Sequence, residues 1–385
     1  MPPSLLWLTE TYPPDRGGMA QSCDRIVRQL RRAGVPVVVA YLGRRAADWT
    51  VEPREGGAEI RGPWDDDPGH AINRLWILAR RRHLETPFTH LVAFGGLYPM
   101  LAGPAFAAWL GIPLVTLVRG NDLDTGLFSP RRADVVREAL ARAAVVGTVT
   151  RDQAARVGAL FPGARVVWTP NGIDLPAWQL REQDRARGRA FRDGEVEPEG
   201  GGAAADADRT VLGLFGQLKA KKGALFFLDA LAATGLMERA HLLIVGDVED
   251  AVLAWLRERV PAPAHTLRPF CDRYELLPLY AAADLVVLPS FYDGMPNVLL
   301  EAAALGVPVL GSDAGAMPDV LGSDWPLLFP AGDGQACART LARALDLGRE
   351  ERARLGEAAR RQVVERFDAR AETRRYLDIF AGTVL

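Results

Sequence analysis

Two carboxylates with seven residues between them, Asp293 and Glu301, bracket the run Gly294-Met295-Pro296-Asn297-Val298-Leu299-Leu300. Before them, Asp284-Leu285-Val286-Val287-Leu288 reads as a buried strand, and a helical pattern opens near Asn297 and continues through Leu299, Leu300 and Ala303. Gly294 lets the backbone approach a ligand closely. Pro296 sits where a first helical turn tolerates it. The amides of residues 296–299 are then expected to point out of a helix N-terminus, a ready anion site. Glu301 falls about one turn inside the helix, on the side of those amides.

A second cluster is cationic. Lys and Arg together number 46, and only three are lysines: Lys219, Lys221 and Lys222. They lie in Gly216-Gln217-Leu218-Lys219-Ala220-Lys221-Lys222-Gly223, between a strand-like run and a helix expected to begin near Leu225. Lysine is a compact point charge and arginine a flat fork, so a tight phosphate site accepts one and not the other. An arginine-rich coding bias on solvated surfaces is the plainer account of the composition, but it does not explain why the three lysines cluster.

Both clusters need elements to hold them. Strand-like runs recur at Leu5–Thr9, Val35–Leu42, Glu59–Arg61, Leu91–Phe94, Leu114–Val118 and Val145–Val149, with helical patterns between them, as at 20–33, 134–143 and 151–160. The second half repeats the rhythm at Val211–Phe215, His241–Val245, Thr266–Arg268, Leu285–Leu288, Val307–Gly311 and Leu327–Leu328. This alternation predicts parallel, helix-covered sheets, and the length suggests about two domains. The tract from Arg181 to Arg209 is charged, rich in Gly and Ala, and reads as a surface insertion or mobile loop. Helical patterns fill Arg349–Phe380.

The Asp293–Glu301 segment resembles the Glu-x7-Glu signature of retaining GT-B glycosyltransferases, most closely glycosyltransferase family 4 (glycosyl transferases group 1). Gly216–Gly223 is similar to that family's G-R-L-x-x-x-K-G element, with Lys222 on its Lys and Gln217 on its Arg. Pro13-Pro14-Asp15-Arg16-Gly17-Gly18 resembles its Gly-Gly loop, Arg119-Gly120-Asn121-Asp122 stands where a His is usual, and Pro170-Asn171-Gly172-Ile173-Asp174 resembles its interdomain linker. Asp313-Ala314-Gly315-Ala316 resembles its D-x-G-G turn. The first acid, usually Glu, is here Asp293. The resemblance implies a GT-B fold of two Rossmann-like domains facing a central cleft. The first, 1–170, would bind the acceptor. The second, 171–365, would bind the nucleotide sugar, and a helix over 366–385 would cross back.

It further implies transfer with retention and no required metal or cofactor. Lys222 and the helix amides would stabilise the leaving diphosphate, Asp293 would position the donor sugar, and Glu301 would bind the ribose. Gly17, Gly18, Gln217, Gly294, Met295, Pro296, Asn297, Val298 and Leu299 would complete the donor site, and Arg119 would reach phosphate or acceptor. A UDP sugar is the expected donor. A glycan, a lipid-linked sugar or a small metabolite is the expected acceptor. Alternatives are a nucleotide-sugar-binding protein with weakened catalysis, or another GT-B enzyme such as a sugar-nucleotide epimerase.

A net charge of -2 gives no sign of nucleic acid as a partner. Three distant cysteines, Cys23, Cys271 and Cys337, suggest a reducing cytoplasm with no disulfide framework. The opening residues read as a first strand rather than a signal peptide, and no apolar run is long enough to span a membrane. Asp65-Asp66-Asp67 follows Pro63-Trp64 in a loop and reads as a solvated acidic turn rather than a metal site. His70, His83, His90, His241 and His265 show no ligand spacing. Arg80-Arg81-Arg82, after Trp76, reads as a solvated helix face, with a weak peripheral membrane contact as its alternative. Oligomeric state is not encoded in any motif.

Overall fold

Apolar runs of four to seven residues, each followed by a helix, can satisfy their backbone groups only side by side in parallel sheets covered on both faces. The computed structural model describes residues 2–15, 17–43, 46–64, 67–193, 209–260 and 264–383. The chain divides into two compact units, Met1–Gly172 together with Ala369–Leu385, and Ile173–Asp368.

The first unit holds β1 (Leu5–Thr9), β2 (Val37–Gly43), β3 (Thr50–Arg54), β4 (Gly57–Pro63), β5 (His90–Phe94), β6 (Leu114–Val118), β7 (Val145–Thr148) and β8 (Val166–Trp168). Their order across the sheet is β3-β4-β2-β1-β5-β6-β7-β8. Only β3 runs antiparallel, paired with β4. Leu5 sits opposite Val37 on one side and His90 on the other. The two-residue period of the strands sorts their side chains. Leu5, Trp7, Val37, Val39, Val92 and Phe94 pack with Ile26 and Leu30 of the helix Gly18–Arg32 and with Tyr376, Ile379 and Phe380 of the helix Ala369–Ala381. Leu6, Leu8, Val38, Ala40, Leu91 and Ala93 face the helices Pro68–Glu85 and Leu97–Leu110. The sequence pattern gave no sign of β3: its residues are mostly exposed and Pro53 interrupts it, as suits an edge strand.

The second unit holds β9 (Thr210–Phe215), β10 (Ala240–Val245), β11 (His265–Arg268), β12 (Leu285–Leu288), β13 (Val309–Ser312) and β14 (Leu328–Phe329). All pairs are parallel, in the order β11-β10-β9-β12-β13-β14. The order reverses between β9 and β12, and crevices beyond the carboxyl ends of strands at such a switch are where open α/β sheets bind ligands.

The tract expected as a loop over Arg181–Arg209 is corrected in its first part. Glu182–Arg192 is a helix, opened by Asp184 accepting the Arg181 N–H at 2.9 Å. Phe191 is buried, and Arg192 meets Asp284 at 3.0 Å. One large apolar residue was too thin a periodic signal to announce it. Residues 194–208 lie outside the described residues. The tail holds two helices, Arg349–Arg366 and Ala369–Ala381.

Candidate functional site

The lysine cluster and the paired acids follow the two strands that flank the switch. After β9, Gly216 donates to the Val245 carbonyl and Leu218 to the Asp247 carbonyl, each at 2.8 Å. A single 3-10 turn, Ala220–Lys222, then leads into the helix Ala224–Thr234. After β12, residues 289–296 lead into the helix Asn297–Ala304. The Phe291 N–H donates to the Lys221 carbonyl at 3.1 Å, and the Lys222 ammonium is hydrogen-bonded to Asp293 Oδ2. Asp293 Oδ1 accepts its neighbour's N–H, from Gly294, at 2.9 Å. The side chains of Lys222 and Asp293 keep 28% and 15% of their exposure, so the pair is reachable from solvent. Lys221 is half-buried. Burial pushes its ammonium pKa down, Lys222 adds to that, and Asp293 opposes it.

A third loop props the acid. Ala316 N–H donates to the Gly294 carbonyl at 2.9 Å. Gly315 has φ +61°, and a Cβ there would lie 2.3 Å from the Asp293 carbonyl oxygen, so both conformation and space require glycine. Asp313 is turned away from this contact, accepting the Ala331 N–H at 2.8 Å.

The helix N-terminus departs from expectation in one respect. Pro296 is its N-cap residue, at φ −67° and ψ 133°. Proline has no N–H, and the Leu299 N–H goes to the Pro296 carbonyl at 3.1 Å. Neither therefore belongs to the set of amides expected over 296–299. Met295 and Leu299 bury their side chains, and Val298 is half-buried. Gln217 is exposed in the lysine loop.

Glu301 lies one turn inside the helix and half-buried. The Tyr280 hydroxyl lies 2.7 Å from its Oε2. A carboxylate only accepts, so the phenol donates. Tyr280 comes from the helix Arg273–Ala282 and is fully buried, with its ring stacked on Phe215 at 4.1 Å. Burial first, and then Glu301, drive the phenol pKa well above its usual value. The sequence analysis did not single out Tyr280, and its position in an apolar helix offered no signal beyond core packing.

In the first unit, Gly17 is the N-cap residue of the helix Gly18–Arg32, and its carbonyl accepts the Gln21 N–H at 3.1 Å. Arg119 was expected at phosphate or acceptor, but it is 7% exposed and otherwise engaged. Its guanidinium contacts Asn171 Oδ1, reaches Tyr376 Oη at 3.3 Å and lies 4.8 Å from the centre of the Phe94 ring. Asp122 accepts the Arg119 backbone N–H at 2.9 Å rather than its side chain. These contacts tie Arg119 to the helix Ala369–Ala381 and to Asn171. A pocket at the ends of β1 and β2 is bordered by Glu10, Tyr41, Trp64, Ile72 and Tyr98. Glu10 Oε2 there accepts the Leu97 N–H at 2.9 Å.

Asp67 caps the helix Pro68–Glu85, accepting from Gly69 and His70, while Asp65 and Asp66 lie outside the described residues. Among the described residues no group of three or more His, Cys, Asp or Glu side chains could hold a metal ion. No described helix is long and apolar enough to cross a membrane.

Residues 16–176 match the family model described as Glycosyltransferase Family 4, and residues 209–346 the one described as Glycosyl transferases group 1. The chain is 33% identical over 377 residues, 93% of its length and 92% of the other's, to a GDP-mannose-dependent alpha-mannosyltransferase of Mycolicibacterium smegmatis. It is 42% identical over 206 residues to an MMP alpha-(1->4)-mannosyltransferase of Mycolicibacterium hassiacum, a match spanning 51% of this chain and 44% of that protein. In fold it resembles the sucrose-phosphate synthase of Thermosynechococcus elongatus, with TM-score 0.80 and 18% identity over 99% of this chain and 100% of that one. It also resembles Anabaena HepE in complex with UDP-glucose, with TM-score 0.76 and 17% identity over 98% and 99%.

Proposed function

The chain belongs to glycosyltransferase family 4, the glycosyl transferases group 1, and from that premise we propose that it moves a hexose from a nucleoside-diphosphate sugar to an acceptor hydroxyl with retention of configuration. The observation that carries the reading is the meeting, at the carboxyl ends of β9 and β12, of a cation, an acid and a second acid one helical turn further on. A nucleotide sugar presents a diphosphate with the sugar on one side and the ribose on the other, one group for each of these side chains. In this reading Lys222 and the helix N-terminus stabilise the diphosphate, Asp293 holds a donor-sugar hydroxyl, and Glu301 accepts from the ribose hydroxyls.

The acceptor oxygen forms its bond to the anomeric carbon on the face from which the diphosphate leaves. The bond to the phosphate oxygen breaks, and that oxygen takes the acceptor proton. Charge builds on the leaving diphosphate, where a fixed lysine and amides stabilise it most. Such a step asks for no strong protein base, and Lys222 takes the neutralising role that a metal ion has in other transferases. The relative aligned along nearly all of its length is named for GDP-mannose, which supports that donor ahead of the UDP sugar expected from the motifs. In this reading the acceptor enters the pocket bordered by Glu10, Trp64 and Tyr98.

The test is a thermal-shift and calorimetric panel of GDP-mannose, UDP-glucose, ADP-glucose and dTDP-glucose, followed by transfer or donor hydrolysis with the donor that binds. Stabilisation by GDP-mannose above the others is the expected result. Stabilisation by none of the four would remove the nucleotide-sugar reading.

A further inference from the structure

The pocket at the carboxyl ends of β1 and β2 has one charge in its wall. Of the twelve residues that line it, Glu10 alone is charged at neutral pH, and none is Lys, Arg or His. That carboxylate is half-buried and fixed in place. Its Oε2 accepts the Leu97 N–H at 2.9 Å. Gly96, at φ +78°, leaves room for it, since a Cβ there would collide with the same oxygen. Glu10 Oε1 has no hydrogen-bond partner among the described residues. On the same turn a second acid, Asp122, accepts the Gly96 N–H through Oδ1 and the Arg119 N–H through Oδ2, each at 2.9 Å. The Arg119 guanidinium is engaged with Asn171 and Tyr376 instead. The N-terminus of the helix Leu97–Leu110 offsets only about half a charge, so two carboxylates leave this turn negative. Two aromatic rings stand beside it: Trp64 and Tyr98, both half-buried, meet edge to face with their centres 4.5 Å apart.

Resting on the reading of this pocket as the acceptor site, we propose that the acceptor is a polyhydroxylated ring bearing a protonated amine, an amino sugar or aminocyclitol. The ammonium sits against Glu10 Oε1 beside the rings of Trp64 and Tyr98, and a hydroxyl of the same ring remains the nucleophile. A carboxylate held among apolar side chains gains most from a ligand that brings the opposite charge, and aromatic rings beside it attract the same cation. A neutral hydroxyl can donate to Oε1 but leaves the charge uncompensated. A phosphate or carboxylate in that place would face Glu10 and Asp122 with no cation in the pocket wall, which selects against it. Glu10, Trp64 and Tyr98 come from three separate loops, so no local motif announced them together.

Ligand-observed NMR titration of the full chain with four probes of one ring shape tests it: methyl glucosaminide, its N-acetyl form, methyl glucoside and methyl glucuronide. The glucosaminide should bind at least about tenfold more tightly than the glucoside or the N-acetyl form, with the glucuronide weakest. Added salt should narrow the difference. Glu10→Gln keeps an acceptor for the Leu97 N–H but removes the charge, and should bring the glucosaminide to within about twofold of the glucoside. Trp64→Leu should weaken the glucosaminide by about fivefold through the lost ring face. A wild type that binds the glucoside as well as the glucosaminide, that prefers the glucuronide, or that binds none of the four overturns the proposal. So does an amine preference that Glu10→Gln leaves intact. The nucleotide-induced thermal shift is measured on the same samples. A shift that persists without any amine preference removes this acceptor class alone, whereas the absence of a shift with every nucleotide sugar removes the donor reading and leaves the sugar titrations standing by themselves.

Discussion

Asp293 is one methylene shorter than the glutamate usual at its place, and the structure shows what the shorter arm reaches: the Lys222 ammonium through one oxygen and the Gly294 N–H through the other. Asparagine has nearly the same shape and no charge. Asp293→Asn should leave the affinity for free nucleoside diphosphate within about threefold, because Lys222 is released rather than lost, while transfer falls by roughly 10- to 100-fold as a charged hydrogen bond to the sugar disappears. Calorimetry beside transfer rates checks this, and wild-type transfer in the variant would detach Asp293 from the donor sugar. Lys222→Ala should act on the other group, weakening the diphosphate by roughly tenfold or more and the bare nucleoside hardly at all. Equal losses for both ligands would place the lysine elsewhere.

Tyr280→Phe removes one donor from Glu301 without opening a cavity. It should weaken nucleotide binding by about fivefold and narrow the preference for a riboside over its 2′-deoxy analogue. An unchanged preference would mean that Tyr280 only packs. Asp293, Lys222 and Glu301 could be singled out as candidates from spacing because each sits at a fixed offset from a glycine or proline within one strand–loop–helix segment. Tyr280 could not, because it lies 21 residues before the acid and meets it only after β12 and its loop have folded. The contacts of Arg119 were hidden for the same reason: its partners Asn171 and Tyr376 come from distant parts of the chain.

At the scale of elements, β1, β2, β5, β6, β7, β9, β10, β12 and β13 were legible since each is four or more buried residues. The edge strand β3 and the helix Glu182–Arg192 were not, because half-exposed elements carry a weak pattern. The helix Ala369–Ala381 shows how an element legible as a helix still hides its place. It docks through Tyr376, Ile379 and Phe380 and through a two-pronged contact of Arg25 with Glu372 at 3.0 and 3.1 Å. Gly172, where the chain leaves the first unit, packs so close that a Cβ would lie 2.8 Å from Ala369 Cα. The side chains of Arg25 and Glu372 are 11% and 3% exposed. Removing one partner strands the other, so Arg25→Ala should cost about 3–5 kcal/mol of stability, while Arg25→Met with Glu372→Leu should recover much of the loss. Chemical denaturation of the three proteins measures it, and a loss below about 1 kcal/mol in the single variant would show that Asn171 and the aromatic contacts suffice without the ion pair.

For the whole molecule, alternation of strand and helix along the chain set the α/β class, but strand order is a non-local property and no local pattern carries it. The order matters because it puts the loops after β9 and β12 side by side, so that Lys222 meets Asp293 across 71 positions of the chain. Every residue in the proposed donor site from Gln217 to Glu301, Tyr280 included, lies within Ile173–Asp368, and so do all six strands of that sheet. A fragment of residues 173–368 should therefore fold, melt cooperatively and bind the same nucleoside diphosphate as the full chain, within about tenfold in affinity. The first unit should not survive the complementary cut. Residues 1–172 alone would lose Tyr376, Ile379 and Phe380 from the cluster that covers Leu5, Trp7 and Phe94, uncovering a core face of a parallel sheet that tolerates no water on either side. That fragment should be insoluble or bind a hydrophobic dye, and fusing 369–385 to its end through a flexible linker should restore a soluble protein. A soluble, cooperatively melting 1–172 would show that the last helix is an accessory to this unit and not part of its core, whereas a 173–368 fragment that folds without binding nucleotide would move the donor site outside the β9–β12 switch.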